Sequence, residues 1–181
     1  PAGSEGLIFL PYMAGERSPI WDPQAKGAFI GLSYEKTKAH LIRAVMEGCA
    51  FALRHNLETA DEAGVSADVL HSVGGAAKSE VWTQLKADAT NRKIRIPVSA
   101  EATTLGAAML AGIGAGLFRG AEEAAERMVR FQSRVFVPDE RTRGVYDRSY
   151  ELYLQTYRML KTIFPKLDGV DDESSRARGP R

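Results

Sequence analysis

The segment SVGGAAKSEVWTQLKADATNRKIRIP, Ser72 to Pro97, does most to limit what this chain can become. It reads as a strand end, two glycines, a short loop, a helix and another strand. Strands joined through a helix argue for an α/β fold with some parallel pairing. Ser79 is placed to cap the helix, and Glu80 in the first turn suits the helix dipole. Val81, Trp82, Leu85 and Ala89 give that helix an apolar face.

The flanking sequence extends the pattern. Gly6–Tyr12 is a short apolar run closed by Pro11, and Ala28–Ser33 is a second short strand; the Pro-rich stretch Met13–Gly27 between them is a loop. A long helix is expected from about Tyr34 to Ala63, with Leu41, Val45, Cys49 and Ala52 or Leu53 on its apolar face and Gly64 as its stop. After Val98 come a helix rich in small residues (Thr103–Phe118), a helix at AEEAAERMVR, a short edge segment at RVFVPDE and a long amphipathic helix from Thr142 to Phe164. The run Gly106, Ala107, Ala108, Ala111 and Gly112 suggests close helix–sheet packing. Tyr146, Tyr150, Tyr153 and Tyr157 follow at spacings of four, three and four, so one helix face carries all of them, as core or subunit interface. The tail from Asp168 to Arg181 has almost no apolar residues and is expected to be disordered.

Composition excludes several classes. With 24 Lys and Arg against 23 Asp and Glu, the net charge of +1 makes no case for nucleic acid or an acidic membrane surface. Arg176, Arg178 and Arg181 are offset by Asp171, Asp172 and Glu173. A single cysteine, Cys49, rules out an internal disulfide and makes a cytoplasmic setting the default; Cys49 itself reads as a small buried hydrophobe. No apolar run is long enough to span a bilayer. No second His, Cys or carboxylate lies at ligand spacing from His40, so no metal site is expected.

The glycine pair has two physical readings. Glycine has no Cβ and lets a ligand come close to backbone, and a helix N-terminus offers free N–H groups to phosphate or a ribose hydroxyl. The carboxyl end of a strand is where α/β sheets bind ligands. The alternative is a tight strand–helix turn in which Ser79 is only a cap. The spacing fits neither the G-x-G-x-x-G fingerprint nor the Walker loop.

Two longer stretches bear on that choice. GAFIGLSYEKTKAHLIRAVME (Gly27–Glu47) resembles the second signature of the FGGY carbohydrate kinases at Gly27, Phe29, Gly31, Leu32, His40, Leu41, Ala44, Val45, Met46 and Glu47. GGAAKSEVWTQLKAD is similar to the family's glycine-rich adenosine segment, in the form its xylulose-kinase branch favours, at Gly74, Gly75, Ala77, Lys78, Ser79, Trp82, Gln84, Ala87 and Asp88. It departs at Ala76, where a third glycine is usual. LPYMAGERSPIWDPQAKG and EATTLGAAMLAGIGAGLF also resemble family segments, so the likeness runs from Gly6 to about Phe164.

The resemblance implies an actin-like ATPase, ribonuclease-H-like lobe. It is the C-terminal, ATP-binding lobe of a two-lobe kinase, spanning residues 1–167, with its opening strands missing. It implies ATP and Mg²⁺ as cofactors and nucleotide contacts at Gly74, Gly75, Ala76 and Ser79. It implies phosphoryl transfer to D-xylulose in an intact enzyme whose aspartate base and sugar contacts lie in a first lobe. On this reading the chain has no catalytic residue of its own and does not phosphorylate sugar alone. Gluconate, ribulose and glycerol kinases of the family are the alternatives, as is a non-catalytic binding or dimerisation module; a homodimer is left open. Asp22 reads as a turn residue, and Arg17 as either a loop ion pair or a group reaching toward phosphate. His40 reads as structural, and Lys78 as either a phosphate neighbour or a solvated side chain.

Overall fold

A computed structural model describes residues 1–99 and 101–168. The expected disordered tail lies outside the described residues from position 169 onward, with Arg176, Arg178 and Arg181. The described chain is mixed α/β and divides into two compact units. One comprises Pro1–Ser66 and the stretch from Arg141 onward; the other is Ala67–Glu140.

In the first unit, β1 (Ile8–Leu10) and β2 (Ala28–Ile30) pair antiparallel, with Phe9 opposite Phe29. The loop between them is closed by reciprocal backbone hydrogen bonds between Glu16 and Asp22, at 2.9 and 2.7 Å. Asp22 also accepts from the Tyr157 hydroxyl at 2.8 Å and from the Gln24 amide at 3.0 Å, the structural role its turn position suggested.

Helix α1 runs from Lys38 to Glu62, starting later than expected. Ser33 to Lys36 form a separate turn, and Thr37 is the N-cap. The Thr37 amide donates to Nδ1 of His40 at 3.1 Å, so His40 helps cap the helix. At the far end Gly64 takes a positive φ of 83°, with Gly64 N–H on Asp61 O and Val65 N–H on Ala60 O, a Schellman closure.

The buried face of α1 is not the expected one. Ala44, Glu47, Gly48 and Phe51 are buried, whereas Val45 is 37% exposed and Cys49 is only half-buried. Two local facts explain the rotation. A Cβ at Gly48 would collide with the carbonyl oxygen of Phe9, so α1 rests directly on the β1 backbone there. Glu47, 2% exposed, accepts from the Gly3 amide at 2.9 Å, Ser4 Oγ at 2.7 Å and Arg43 Nε at 2.9 Å. Arg43 also donates to the Tyr146 hydroxyl at 2.6 Å. A buried carboxylate is tolerable when its lone pairs are filled in this way.

Helix α5 (Glu140–Leu160) begins two residues before the expected start, and short α6 (Phe164–Leu167) follows it. All four tyrosines of its apolar face are buried, so the face is core. Tyr150 and Tyr153 stack with centroids 6.1 Å apart, Phe51 lies 5.7 Å from Tyr153, and the hydroxyls of Tyr12 and Tyr153 share a short hydrogen bond.

In the second unit a three-stranded sheet has the order β3 (Val69–His71), β4 (Lys93–Pro97), β5 (Phe131–Phe136). β3 and β4 are parallel, with Leu70 opposite Ile94; β5 runs antiparallel along the edge, with Phe136 opposite Ile94. Helix α2 (Glu80–Thr90) makes the crossover, and Asn91 ends it in the left-handed conformation at φ 52°. Ala77, Ala87, Ile94, Ile96 and Phe136 form the core. The face expected for α2 holds at Leu85 and Ala89 but not at Val81, which is 66% exposed; Thr83, Ala87 and Thr90 are buried instead. The small size of Ala87 lets α2 sit close to β4, and Thr83 and Thr90 satisfy their hydroxyls on the carbonyls of Ser79 and Lys86. The small-residue helix, α3 (Ala102–Gly114), lies mainly against α4 (Ala121–Met128) rather than against a sheet. A Cβ at Gly112 would meet the Phe118 ring at 2.5 Å, which gives that glycine its packing role.

Two predictions follow from the first unit's core. Gly48→Ala should lower stability by about 1–3 kcal/mol in urea unfolding, because the obstruction is backbone rather than a movable side chain. Burial pushes the Tyr12 hydroxyl up to about 12 and raises Tyr150 and Tyr153 further. A raised folded pKa keeps the neutral form, so this stability is present below the unfolded tyrosine pKa of about 10 and lost as pH rises past it. Phenolate absorbance at 295 nm should therefore show these tyrosines ionising together with unfolding above about pH 10.

Candidate functional site

The candidate site lies within the second unit, at the carboxyl end of β3. After His71 the chain is held to β4 once more, by the Ser72 amide on Arg95 O at 3.0 Å. It then turns at Gly74, whose φ of 78° and ψ of −167° favour glycine strongly. A single 3-10 turn, Gly75–Lys78, follows, closed by Ala77 N–H on Gly74 O at 3.2 Å. Ser79 then caps α2 as expected: its Oγ accepts from the Trp82 amide at 3.3 Å.

The two glycines do different things. Gly74 supplies the turn. Gly75 has no positive φ, and a Cβ added there would meet nothing within 4 Å. Neither backbone conformation nor internal packing asks for glycine at 75. Ala77, 8% exposed, is the anchor that ties the turn to the core.

A cavity of about 90 Å³ opens at the mouth of the sheet. Ser72, Val73, Gly74, Ala77 and Lys78 line one wall; Ile96 to Ser99 and Gln132 line the other. Of the four expected contact residues, Gly74 lines this cavity; Gly75, Ala76 and Ser79 follow it in the turn and the cap. The β4 exit and Gln132 lie outside the glycine motif, and no sequence signal joined them to it. No aspartate or glutamate is among the described lining residues. Beneath the wall, Lys86 of α2 donates from Nζ to Ser72 Oγ at 3.0 Å, and burial lowers its pKa.

Among the described residues, no three His, Cys, Asp or Glu side chains gather as metal ligands. No helix among them is long and apolar enough to cross a membrane.

This arrangement is that of an actin-like ATPase fold, in its C-terminal lobe. The family model for the FGGY family of carbohydrate kinases, C-terminal domain, matches residues 1–115, and the chain belongs to that family. A xylulose kinase from Staphylococcus epidermidis is 38% identical over 161 residues, covering 89% of this chain and 32% of the relative. A glycerol kinase from Saccharolobus islandicus is 39% identical over 145 residues, covering 78% and 28%. The crystal structure of ligand-bound xylulose kinase from Lactobacillus acidophilus superposes with a TM-score of 0.82 at 32% identity, covering 92% of this chain and 34% of that one. The chain thus spans about a third of the length of these relatives.

The division between the glycines is measurable by urea unfolding. Gly75→Ala should change stability by no more than about 0.5 kcal/mol, as at a surface site. Gly74→Ala should cost about 1–3 kcal/mol of backbone strain.

Proposed function

We propose that this chain is the nucleotide-binding part of an ATP-dependent sugar kinase, with residues 1–167 as its C-terminal lobe. The observation that carries this reading is the open face of Gly75 beside a helix start. A glycine that neither turns the chain nor relieves a clash leaves room for something outside the chain. Gly74, Gly75, Ala76 and Ser79 form the nucleotide-facing run, and the backbone of this turn suits phosphate or ribose.

ATP enters as a substrate. The described residues offer no carboxylate set for Mg²⁺, so the ion would arrive on the nucleotide's phosphates, as this ion commonly does. No step here depends on it. Phosphoryl transfer relies chiefly on positioning and charge stabilisation, with a base for the attacking hydroxyl. No described carboxylate lines the cavity, and the chain matches about a third of each relative. These two facts support our assignment of the base and most sugar contacts to the parts of a kinase beyond this match. D-xylulose is the acceptor we favour, on the xylulose kinases among the relatives; glycerol kinases among them keep glycerol as the alternative. The setting we propose is cytoplasmic, on the single cysteine.

Titration calorimetry of the full 181-residue chain should show ADP binding. Gly75→Ala should weaken it at least tenfold while leaving the fold intact. A coupled assay should show no sugar-dependent ATP turnover by the chain alone. Absence of ADP binding would favour a non-catalytic assembly module, and xylulose-dependent turnover would overturn the assignment of the base to another part.

A further inference from the structure

Lys86 is a half-buried cation with an unusual set of neighbours. Its Nζ donates to Ser72 Oγ at 3.0 Å and lies 5.7 Å from the centroid of the Trp82 ring. Among the described residues no carboxylate stands within ion-pair distance of it. An ammonium that gives up part of its hydration gains from a partner that replaces it. Here its hydrogen bond goes to the neutral hydroxyl of Ser72, a residue that lines the cavity.

The chemistry of that hydrogen bond is directional. An ammonium has three donors and no acceptor, so Ser72 Oγ must accept from it. The serine's own proton is then left to donate elsewhere. The Ser72 amide is engaged by Arg95 O, which fixes the backbone beneath the hydroxyl. Lys78 adds a second cation to the lining, and the described lining contains no acid. A volume of about 90 Å³ suits one polar group rather than a whole nucleoside, since sites for drug-sized ligands run to about 300 Å³ or more.

We infer that Ser72 donates a hydrogen bond to a phosphate oxygen of the bound nucleotide, and that Lys86 is the positioning residue that orients and polarises it. This rests on the nucleotide reading of the glycine turn and adds two residues to it. Lys86 acts through the serine rather than by touching the ligand. The uncompensated positive charge selects an anionic acceptor over a neutral one.

The test compares ADP with adenosine on the full chain by calorimetry, in the native protein and in Ser72→Ala, Lys86→Met and the double variant. Methionine keeps the apolar stem of Lys86, and alanine at 72 removes one oxygen at the cavity wall, so both should fold; urea unfolding checks this. Each single variant should lose about tenfold in ADP affinity, the value of a hydrogen bond to a charged group. Adenosine affinity should not change, and the double variant should be no worse than Ser72→Ala. Native affinity in Ser72→Ala overturns the inference while ADP binding by the native chain keeps the nucleotide reading. Equal losses for ADP and adenosine assign the pair a structural role and also overturn it. If the native chain binds neither ligand, the nucleotide reading itself fails and the inference falls with it.

Discussion

The first unit depends on one close approach. Helix α1 lies on the backbone of β1 at Gly48, where any side chain would strike the Phe9 carbonyl. That contact fixes which face of the helix turns inward. Glu47 is then buried beside the contact, and it is acceptable there because two N-terminal residues and Arg43 fill its oxygens. Gly3 and Ser4 reach it by a positive-φ turn, with φ of 77° and 46°. A carboxylate in this place ties the N-terminal turn, α1 and α5 together, because Arg43 continues the chain of bonds to Tyr146. Removing Glu47 alone would take the carboxylate from Arg43 and leave two N-terminal donors without their acceptor.

The second unit is governed by a different economy of space. Its core is small, and much of it is alanine: Ala77 and Ala87 pack with Ile94, Ile96 and Phe136. Small side chains let α2 settle close to β4, which draws the 3-10 turn down onto the sheet. The turn is therefore anchored at Ala77 and open at Gly75, two residues apart. Anchoring and openness have to coexist in any loop that presents backbone to a ligand, because a loop that moves freely loses entropy on binding.

Much of this was legible in the sequence where the signal is local. The strand–glycine–helix–strand order, the Ser79 cap, the Gly64 stop and the tyrosine face of α5 all follow from neighbours within four residues. The inward face of α1 was not legible, because apolar periodicity favours Leu41, Val45 and Cys49 over a glycine and a glutamate. What turns the helix is a backbone contact with β1, nearly 40 positions earlier in the chain, and hydrogen bonds from residues 3 and 4. The start of α1 is hidden in the sequence because Tyr34 to Lys36 suit a helix, yet Thr37 and His40 make a better cap. The packing of α3 on α4 was hidden for a related reason: small residues announce close contact without naming the partner. At the candidate site the motif located one wall of the cavity. The other wall comes from the exit of β4 and the start of β5, which only the sheet brings to the glycines.

The same limit hides Lys86 in the sequence. On a helical wheel it is an ordinary exposed lysine between Leu85 and Ala87. Its meaning depends on the parallel pairing of β3 with β4 and on α2 crossing back over them, which together carry its stem to the end of β3. A lysine here has to give up some hydration, and burial accordingly lowers its pKa. A purely structural partner for Ser72 would not require a charge; a neutral amide or hydroxyl would serve at lower desolvation cost. The charge gains most when something negative occupies the cavity above the serine, which adds to what the Trp82 ring and the serine hydroxyl already return for its partial burial.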